Sequence, residues 1–570
     1  MPGTDTYLCL RAFVDELARC GVRYACTSPG SRSTPLVLSL ARDSRLRALS
    51  HVDERCAAFF ALGLAKASGL PAVLACTSGT AAANYAPAVI EAFEARVPLL
   101  VLTADRPPEL REIGAGQTID QIKLYGSAAK WFFEVDDHPA SPARVRWLRQ
   151  LACRAFWTSV DGRPGPVHLN FSFREPLVPD GPSGVPELDV ALGRAGGRPW
   201  VTRPRVAREP SSALLDGLQE QLTARTVIVA GRLERDFPAV GRAVASFAER
   251  AGVPLLADPL SGARQGPAAI AHYDALLRSP SFTPDLVLRV GDLPTSKPLR
   301  TWLAGLDALQ ISFDAEAAWH DPAGSVGTII PADPRLVFEA LTARVKPPRD
   351  TSWLSSWRAA DRVAAGAIAS ALGAELSEPR VAAELGSSLP DDATVVVASS
   401  MPVRDAETFF PARPAAFRVL SNRGANGIDG TVSTAFGVCA AVPGPVVLLI
   451  GDVALAHDIG GLLAASRLGL KLVIVLLDND GGGIFHFLPA SSEGAEFVEH
   501  IATPHGLDFS HAAALYGCGW ERAADVPTFR AALERALAAD RTTIICVRTD
   551  RDENVALHAR VWESVRAATT

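Results

Sequence analysis

The chain has 570 residues, of which 48% are hydrophobic, and it carries a formal net charge of -6. A single hydrophobic core rarely serves so long a chain, so we expect about three or four domains, each with a core of its own. The acidic balance argues against a general nucleic-acid or membrane-surface protein, because such proteins need a basic excess, and it implies that any anionic ligand is held by local cations.

The start of the chain predicts an ordinary amphipathic helix over MPGTDTYLCLRAFVDELARCG, without the basic and apolar segments of an export signal. No apolar run approaches the roughly 18 residues of a membrane-spanning helix. The nine cysteines are scattered and include no Cys-x-x-Cys pair, which argues against a disulfide framework or a zinc site. We therefore expect a protein of the reducing cytoplasm, with neither a membrane nor a nucleic-acid partner.

Short apolar runs alternate with helical patterns along nearly the whole chain. The runs cover residues 22–28, 71–76, 98–103, 226–230, 285–290, 394–399, 446–450 and 472–477. This alternation predicts α/β domains in which a mostly parallel sheet is flanked by helices. Two segments rich in proline and glycine, 178–212 and 345–353, interrupt the alternation and are interpreted as linkers. The predicted domains are then 1–180, 195–345 and 353–570.

A lone carboxylate, Glu54, opens an almost wholly apolar helix that is predicted within HVDERCAAFFALGLAKASG at residues 51–69. Burial at this position would raise the pKa of the carboxyl group, and the helix N-terminus would offset part of that rise. An acid in the first turn of a helix is also common because it complements the helix dipole. The residues alone leave both interpretations open.

Four arginines follow predicted strand ends, and they are Arg32, Arg106, Arg404 and Arg423. The first of them precedes a predicted helix start, with Ser33 or Thr34 as the N-cap and Pro35 in the first turn, which is a favourable place for an anion. Each arginine alone can be a surface or structural residue. Together they suggest bidentate recognition of several carboxylates in one crevice.

The stretch VLLDNDGGGIF at residues 475–485 ends an apolar run in acids, an amide and three glycines. The run VVLLIGD at 446–452 precedes it, and the helical pattern HDIGGLLAASRLGL connects the two, which predicts a βαβ unit. Asp452 and Asn479 should then lie at the carboxyl edge of one sheet, where ligands of open α/β sheets bind. With a backbone carbonyl near Gly481 they would form an oxygen site suited to Mg²⁺ and phosphate. Alternatively, both side chains only cap helices and the glycines form a loose turn.

The pair Gly451-Asp452, followed by Asn479 and Gly481, resembles the metal and diphosphate motif of thiamine diphosphate enzymes. Residues 51–69 and TSGTAAANYAPAVIEA at 77–92 resemble the pyrimidine-binding domain of the same superfamily. The resemblance implies thiamine diphosphate and Mg²⁺ or Mn²⁺ as cofactors, bound by a thiamine diphosphate-binding fold. It also implies that Glu54 hydrogen-bonds the aminopyrimidine ring of the cofactor and exchanges a proton with it.

A closer resemblance lies in the strings SPGSRSTPL, HVDER, TADRPPEL, SNRGANGIDG and GGGIFHFLP. They are similar to those of the 2-succinyl-5-enolpyruvyl-6-hydroxy-3-cyclohexene-1-carboxylate (SEPHCHC) synthase family of menaquinone and phylloquinone biosynthesis. Members of this family are transferases that decarboxylate 2-oxoglutarate and add the resulting succinyl carbanion equivalent to isochorismate. Both substrates are dicarboxylic acids, which gives the arginines a role.

The resemblance also implies roles for individual residues. The substrate-binding residues would be Ser31, Arg32, Arg106, Lys297, Ser400, Arg404, Arg423, Ile484, Phe485 and Leu488, with Glu54 and Gln117 as catalytic residues. The cofactor-binding residues would be Glu54, Gly427, Ile428, Asp452, Val453, Asn479 and Gly481, of which Asp452, Asn479 and Gly481 would hold the metal. The apolar members would exclude water from the reacting atoms, although the same residues can equally be plain core.

Four residues depart from the family pattern. Asp478 and Asp480 stand where the family often has asparagine, and Val453 follows Gly-Asp where many thiamine enzymes have glycine. If the two carboxylates point away from the diphosphate, or help to hold the metal, we expect the cofactor affinity of the family. Otherwise we expect weaker cofactor binding. His486 stands in the apolar wall, where a smaller polar residue was expected, and can be a solvent-facing side chain.

Two other functions remain open at this point. One is a different thiamine-dependent 2-oxo acid decarboxylase or carboligase, such as an acetolactate-synthase-like enzyme, although the arginines argue against small monocarboxylic substrates. The other is a catalytically silent metabolite-binding protein on the same scaffold, which the joint presence of Glu54, Asp452 and Asn479 makes less attractive. In the resembled family the active site lies between the first domain of one subunit and the third domain of another, so a homodimer or homotetramer is expected.

Overall fold

The computed structural model describes residues 2–178, 193–204, 206–234 and 237–570. By the contacts between residues, the chain divides into two compact units. The first unit comprises Met1–Arg205, Asn422–Pro443 and His457–Leu470, and the second comprises Val206–Ser421, Gly444–Ala456 and Lys471–Thr570. The described residues include no helix that is long and apolar enough to cross a membrane.

The described strands form three sheets, in which all neighbouring strands are parallel. The first sheet contains β1 (Tyr24–Thr27), β2 (Arg47–Ser50), β3 (Ala72–Cys76), β4 (Leu99–Asp105), β5 (Trp131–Val135) and β6 (Pro166–Ser172). The second contains β7 (Thr226–Ala230), β8 (Leu255–Ala257), β9 (Leu286–Val290), β10 (Leu309–Phe313) and β11 (Thr328–Ile330). The third contains β12 (Thr394–Val397), β13 (Arg418–Leu420), β14 (Val446–Gly451), β15 (Val473–Asp478), β16 (Gly519–Ala523) and β17 (Thr543–Arg548).

The strand orders are β2-β1-β3-β4-β6-β5 in the first sheet, β11-β10-β9-β7-β8 in the second and β13-β12-β14-β15-β17-β16 in the third. The first and third sheets thus have the same order of strands, counted from their own first strand. The first sheet belongs to the first unit, and the other two belong to the second unit.

Helices connect the strands and cover both faces of the sheets, as parallel strands require. They are α1 (Pro2–Cys20), α2 (Thr34–Arg42), α3 (Glu54–Ser68), α4 (Thr80–Ala83), α5 (Ala86–Glu94), α6 (Pro142–Val160), α7 (Ser212–Gln221), α8 (Phe237–Ala251), α9 (Tyr273–Leu276), α10 (Lys297–Ala304), α11 (Pro334–Arg344), α12 (Ser352–Leu372), α13 (Glu378–Ser388), α14 (Met401–Phe409), α15 (Thr431–Ala441), α16 (Asp452–His457), α17 (Leu463–Leu468), α18 (Ala495–Phe497), α19 (Phe509–Tyr516), α20 (Val526–Ala538) and α21 (Arg551–Thr569).

The predicted fold class is confirmed, since each apolar run of the sequence contains or overlaps a strand. The central strands β14 and β15 are buried along nearly their whole length, and their residues are mostly valine, isoleucine and leucine, which suit a sheet covered on both faces. Gly451 of β14 pairs with Leu477 of β15, so both strands end at the same edge of the sheet.

The predicted βαβ unit is confirmed, since β14 and β15 are parallel, but its helical connection is not one continuous helix. The chain forms α16, a short 3₁₀ turn over Ile459–Leu462, and then α17. At the break, the carboxylate of Asp458 accepts hydrogen bonds from the backbone N–H of Ser433 at 2.7 Å and from the Ser433 hydroxyl at 3.1 Å. This contact with α15, together with the following glycine pair, ends the helix because glycine has low helix propensity.

The domain limits proposed from the sequence stay a prediction. The second linker, 345–353, does lie between the helices α11 and α12. Much of the first linker, including residues 179–192 and 205, lies outside the described residues. In the second unit one apolar core joins the second and third sheets, with Trp357 of α12 fully buried and stacked on Phe282 at 3.9 Å between ring centroids.

Candidate active site

One carboxylate organises the ends of the two central strands of the third sheet. Oδ2 of Asp452 accepts hydrogen bonds from the backbone N–H of Asn479 at 3.1 Å and of Gly481 at 2.9 Å. Oδ1 accepts from the N–H of Val453 at 2.7 Å. Burial raises the pKa of the Asp452 carboxyl group, and the hydrogen bonds from Gly481 and Val453 offset part of the rise. The turn after β15 is therefore held against the end of β14.

Asn479 presents an amide oxygen without a partner at this edge. Its Nδ2 donates to Oε1 of Glu378 at 2.8 Å, and the hydroxyl of Thr549 donates to the same oxygen at 2.9 Å. Oδ1 of Asn479 is buried and has no hydrogen-bond partner within the described part of the chain. A buried acceptor left unsatisfied costs free energy, so this oxygen is suited to a ligand such as a cation.

Glu378, which no sequence motif marks, fixes the orientation of that amide. The residue is the first of α13, and its side chain is buried although it carries an ionisable group. Burial raises its pKa to about 7. A glutamate after a serine N-cap has no sequence signal that separates this role from ordinary helix capping.

The donor set at this edge fits a hard divalent cation that is bound together with phosphate. A carboxylate and an unpartnered amide oxygen are ligands that Mg²⁺ accepts, and Mg²⁺ usually completes its octahedron with phosphate oxygens and water. Gly481 has φ +143°, and a Cβ atom there would lie 2.4 Å from the carbonyl oxygen of Ala502. Only glycine therefore allows this turn to pack so closely.

Both acids that depart from the family pattern have partners of their own. Oδ2 of Asp478 accepts from Nη1 of Arg548 at 2.6 Å, and Oδ1 of Asp480 accepts from the backbone N–H groups of His505 and Gly506 at 3.1 and 2.7 Å. Ligand atoms of Asp452, Asp478 and His505 also lie within 4.8 Å of one another. This arrangement fits the case in which the two acids do not weaken cofactor binding.

A cavity of about 930 Å³ in the second unit brings together five of the predicted substrate residues, Lys297, Arg404, Ile484, Phe485 and Leu488. Arg278 and Arg300, which no sequence motif marks, also line it, together with the acids Asp274 and Glu407. Asp274 pairs with Arg278 at 3.1 Å, so Arg300 is the cation added to those predicted. The side chains of Phe485 and Leu488 are 38% and 48% exposed. The cavity thus combines cationic groups with an apolar wall.

Ser400 and His486, two further residues singled out in the sequence, also lie in the second unit. Ser400 is the N-cap of α14 and has φ +75°, and its carbonyl oxygen accepts from Nη1 of Arg404 at 2.5 Å. His486 is not a free solvent-facing side chain, because its Nδ1 lies 2.8 Å from Oδ1 of Asp552 and its ring packs against Phe497.

In the first unit, Glu54 is the first residue of α3, as predicted. Asp53 caps the helix by accepting from the backbone N–H of Cys56 at 3.1 Å. Burial raises the pKa of the half-buried Glu54 carboxyl group. The N-cap role therefore belongs to Asp53, which leaves the Glu54 carboxyl group available for a ligand.

Arg106 and Gln117 form one hydrogen-bonded group with Ser78. Nη1 of Arg106 donates to the hydroxyl of Ser78 and to the carbonyl oxygen of Gln117, and Nε2 of Gln117 donates to the carbonyl oxygen of Ser78 at 2.9 Å. Burial and the neighbouring Arg32 lower the pKa of Arg106. Two guanidinium groups at close range repel each other, and the Glu175 carboxylate, 3.2 Å from Nη2 of Arg32, offsets part of this repulsion.

The remaining predicted residues of the first unit lie on its loops. Arg32 donates from Nη1 to the carbonyl oxygen of Phe173 at 2.9 Å, and Ser31 is exposed beside it. Arg423, Gly427 and Ile428 are half-buried in the loop before α15.

Glu91, which likewise has no motif in the sequence, holds the loop that carries Arg423, Gly427 and Ile428. Its buried carboxylate accepts from the backbone N–H groups of Gly424 at 2.8 Å and Ala425 at 2.6 Å. Glu91 therefore fixes the backbone of the loop next to Arg423.

Comparison with protein families defines the class of protein to which this fold and these groups belong. Residues 9–124 match the N-terminal TPP binding domain of thiamine pyrophosphate enzymes, 195–397 match the middle domain, and 402–547 match the C-terminal TPP binding domain. The chain is thus a thiamine diphosphate-dependent enzyme that uses this cofactor with a divalent metal ion.

Curated relatives narrow the class to one family. The chain is 44% identical to a SEPHCHC synthase of Geobacillus kaustophilus over 566 residues, which cover 97% of each chain. It is 42% identical to the enzyme of Halobacterium salinarum over 97% of this chain and 96% of the relative. It is 43% identical to that of Chloroflexus aurantiacus over 98% and 96%. The chain belongs to the SEPHCHC synthase family.

Proposed function

We propose that the protein is a transferase that decarboxylates 2-oxoglutarate with thiamine diphosphate and adds the succinyl unit to isochorismate, which yields SEPHCHC for menaquinone or phylloquinone biosynthesis. The observation that carries this proposal is the similarity to SEPHCHC synthases along nearly the whole chain, at 44% identity to the first of them. The cationic cavity of the second unit supports it, because both substrates are dicarboxylic acids.

Asp452, Asn479 and the backbone carbonyl of Gly481 would hold Mg²⁺ or Mn²⁺, with Val453 and the glycine turn beside the diphosphate. The unpartnered Oδ1 of Asn479 supports this assignment. When bound, thiamine diphosphate supplies the nucleophilic carbon that attacks the 2-oxo acid and accepts the electrons left by carbon dioxide. Glu54 would exchange a proton with the aminopyrimidine ring, and Gly427 and Ile428 would contact the cofactor.

The cationic residues would divide the substrate carboxylates between them. Lys297 and Arg404 would bind them in the cavity of the second unit, where Ile484, Phe485 and Leu488 would exclude water. The corresponding residues of the first unit would be Ser31, Arg32, Arg106, Gln117 and Arg423, and Ser400 would contribute from the N-terminus of α14. Exclusion of water strengthens each charged contact, because the local dielectric falls.

We further propose a cytoplasmic homodimer or homotetramer. Members of the resembled family build the site from the first domain of one subunit and the third domain of another. The exposed fractions of Phe485 and Leu488, 38% and 48%, support this, since an apolar wall that excludes water needs a cover.

The test is incubation of the purified protein with thiamine diphosphate, Mg²⁺, 2-oxoglutarate and isochorismate, with mass analysis of the product. We expect SEPHCHC together with carbon dioxide. Formation of acetolactate when pyruvate replaces 2-oxoglutarate, with no product from 2-oxoglutarate, would contradict the proposal.

An Arg404→Ala variant should lose about ten- to a hundredfold in kcat/KM, as expected when a charge-assisted hydrogen bond is removed. Arg362→Ala, which removes an exposed arginine of α12, serves as the matched control.

A further inference from the structure

Two cysteine side chains of the first unit lie in direct contact. Cys20 is the last residue of α1, Cys153 lies within α6, and their sulfur atoms are 3.6 Å apart. They are separated by 133 positions in the sequence, so the packing of α1 on α6 brings them together. None of the nine cysteines, all of which the structure describes, is joined in a disulfide.

The surroundings of the pair are polar, and they order its protons. The Cys153 thiol donates to Oε1 of Glu16 at 3.4 Å, and the backbone N–H of Val201 donates to Sγ of Cys153 at 3.3 Å. Glu16 is buried and also accepts from Nη1 of Arg149 at 2.7 Å. A chain of hydrogen bonds therefore runs from Cys20 through Cys153 to a carboxylate.

These contacts make Cys153 different from the buried cysteines of the sheets. Hydrogen bonds from Cys20 and Val201 lower the pKa of the Cys153 thiol, although burial and the Glu16 carboxylate act in the opposite direction. The pKa of Cys20 is raised because it donates to Cys153. Burial raises the pKa of Cys26 and Cys76. Cys153 thus gives up its proton more readily than a thiol that is buried in a sheet.

A structural zinc site is the less favoured use of this group. Ligand atoms of Glu16, Cys20 and Cys153 lie within 4.8 Å of one another, but this group of described residues offers three ligands. Structural zinc sites are closed by four protein ligands. The carboxylate of Glu16 is also already engaged by Arg149.

We propose that Cys20 and Cys153 form a modification site at which a hydroperoxide oxidises the two thiols to a disulfide. In the first step a thiolate sulfur attacks the distal oxygen of the hydroperoxide. The O–O bond breaks, an alcohol or water leaves after protonation by solvent, and the sulfur becomes a sulfenic acid. The second sulfur then attacks the sulfenic sulfur, its proton leaves with the hydroxyl group as water, and the S–S bond forms. Each disulfide consumes one hydroperoxide, and a dithiol reductant reverses the reaction.

The position of Cys20 permits this step. A disulfide requires the two sulfur atoms to approach to about 2.05 Å. Cys20 ends its helix and is followed by Gly21, whose φ of +118° marks a turn, so its side chain can move with little loss of helical hydrogen bonding. Cys20 is also partly exposed, so a small peroxide can reach its sulfur, whereas Cys153 is buried.

In the experiment, the full-length reduced protein is treated with an equimolar amount of hydrogen peroxide. The remaining thiols are then blocked with N-ethylmaleimide, and the disulfides are mapped by peptide mass spectrometry. We expect the loss of two thiols per chain and one dominant cross-linked peptide pair, which contains Cys20 and Cys153. Dithiothreitol should restore both thiols. Because the measurement uses the unmodified sequence, it does not depend on the folding of a variant.

Three variants provide the controls. Cys20→Ser and Cys153→Ser should each abolish the cross-link and the paired loss of thiols, whereas Cys439→Ser, which removes another partly exposed cysteine, should leave both unchanged. Oxidation of a single thiol to sulfinic acid without a cross-link would overturn the proposal. So would a cross-link spread evenly over several cysteine pairs, or stoichiometric zinc that protects the two thiols in the purified protein.

Discussion

The two ends of one amide group, that of Asn479, have different environments. Its nitrogen donates to Glu378, whereas its oxygen is buried without a partner in the described structure. Because the oxygen and nitrogen of an amide exchange places by a simple flip, an acceptor on one side decides which atom faces the other side. Glu378 therefore acts as a positioning residue for the proposed metal ligand.

Replacement of Glu378 should weaken metal binding more than it weakens the fold. In Glu378→Leu the amide loses its acceptor, and we expect a loss of about ten- to a hundredfold in Mg²⁺ or Mn²⁺ affinity. Glu378→Gln can still present a carbonyl oxygen and should retain much of the affinity. In the measurement, the metal ion is titrated into the protein in the presence of thiamine diphosphate, and the rise in Tm reports binding.

The matched control for this prediction is Glu384→Gln, which changes another buried acid of α13. Glu384 pairs with Arg380 and Arg530, so its replacement should lower Tm equally with and without metal. An equal drop in Tm for Glu378→Leu under both conditions, with unchanged metal affinity, would assign Glu378 a purely structural role.

A second prediction at the scale of single residues concerns the proton exchange proposed for Glu54. Glu54→Gln keeps the size of the side chain and removes its ability to exchange a proton. We expect kcat to fall by about 10² to 10⁴, the usual contribution of a positioned acid-base group, while the protein stays folded. Glu94→Gln, on the exposed end of α5, is the control. A kcat equal to that of the unmodified enzyme, at matched cofactor occupancy, would show that Glu54 is only a first-turn acid.

At the scale of elements, α3 and α15 of the first unit pack backbone against backbone. A Cβ atom at Gly63 would lie 2.1 Å from the carbonyl oxygen of Thr434, and one at Gly437 would lie 2.0 Å from that of Phe60. Such close approach is possible only without side chains at the crossing point. The contact connects the helix that begins at Glu54 to the loop that carries Ile428, since α15 follows that loop.

The Gly63→Ala substitution should therefore destabilise the protein although alanine is the better helix former. Overpacking of a close contact typically costs about 1 to 3 kcal/mol, and here the neighbouring atom belongs to the backbone and yields little. Gly366→Ala in α12 is the control, because nothing lies within 4 Å of its added Cβ. Thermal unfolding compares the two, and an unchanged or higher Tm for Gly63→Ala would contradict the packing argument.

At the scale of the whole molecule, the proposed assembly makes a prediction for mixed subunits. If Glu54 of one subunit acts with Asp452 of another, a dimer of one Glu54→Gln chain and one Asp452→Ala chain contains one intact site and one doubly changed site. Random pairing makes half of the dimers mixed, so the mixture should recover about a quarter of the unmodified activity.

The control mixture combines Glu54→Gln with Glu54→Ala chains, in which every site carries a change at the same position, and it should stay inactive. Native mass spectrometry of chains with different mass tags verifies that subunits exchange. If exchange is complete and the first mixture is as inactive as the control, both residues act within one subunit.

Local features of the sequence determined the fold class and the position of most candidate groups. Apolar runs of strand length predicted the central strands, and the polar residues that end them, Asp452 and Asn479, could be placed at one sheet edge because a crossover connection makes neighbouring strands parallel. Family motifs then supplied the chemistry. Nine described strands lie outside the predicted apolar runs, and they are β2, β5, β6, β8, β10, β11, β13, β16 and β17. Seven of them have only three to five residues and carry little periodic signal, and only β6 and β17 are longer.

Only the tertiary structure decided which distant side chains meet. Glu378 lies 101 positions from Asn479, and Cys20 lies 133 positions from Cys153. Neither pair belongs to a common periodic pattern, so no local rule connects its members. Their contacts follow from how whole helices pack on a sheet, which depends on the volumes of many side chains at once. The sequence by itself therefore determined the strands and the residues at their ends, and packing determined the partners that orient those residues.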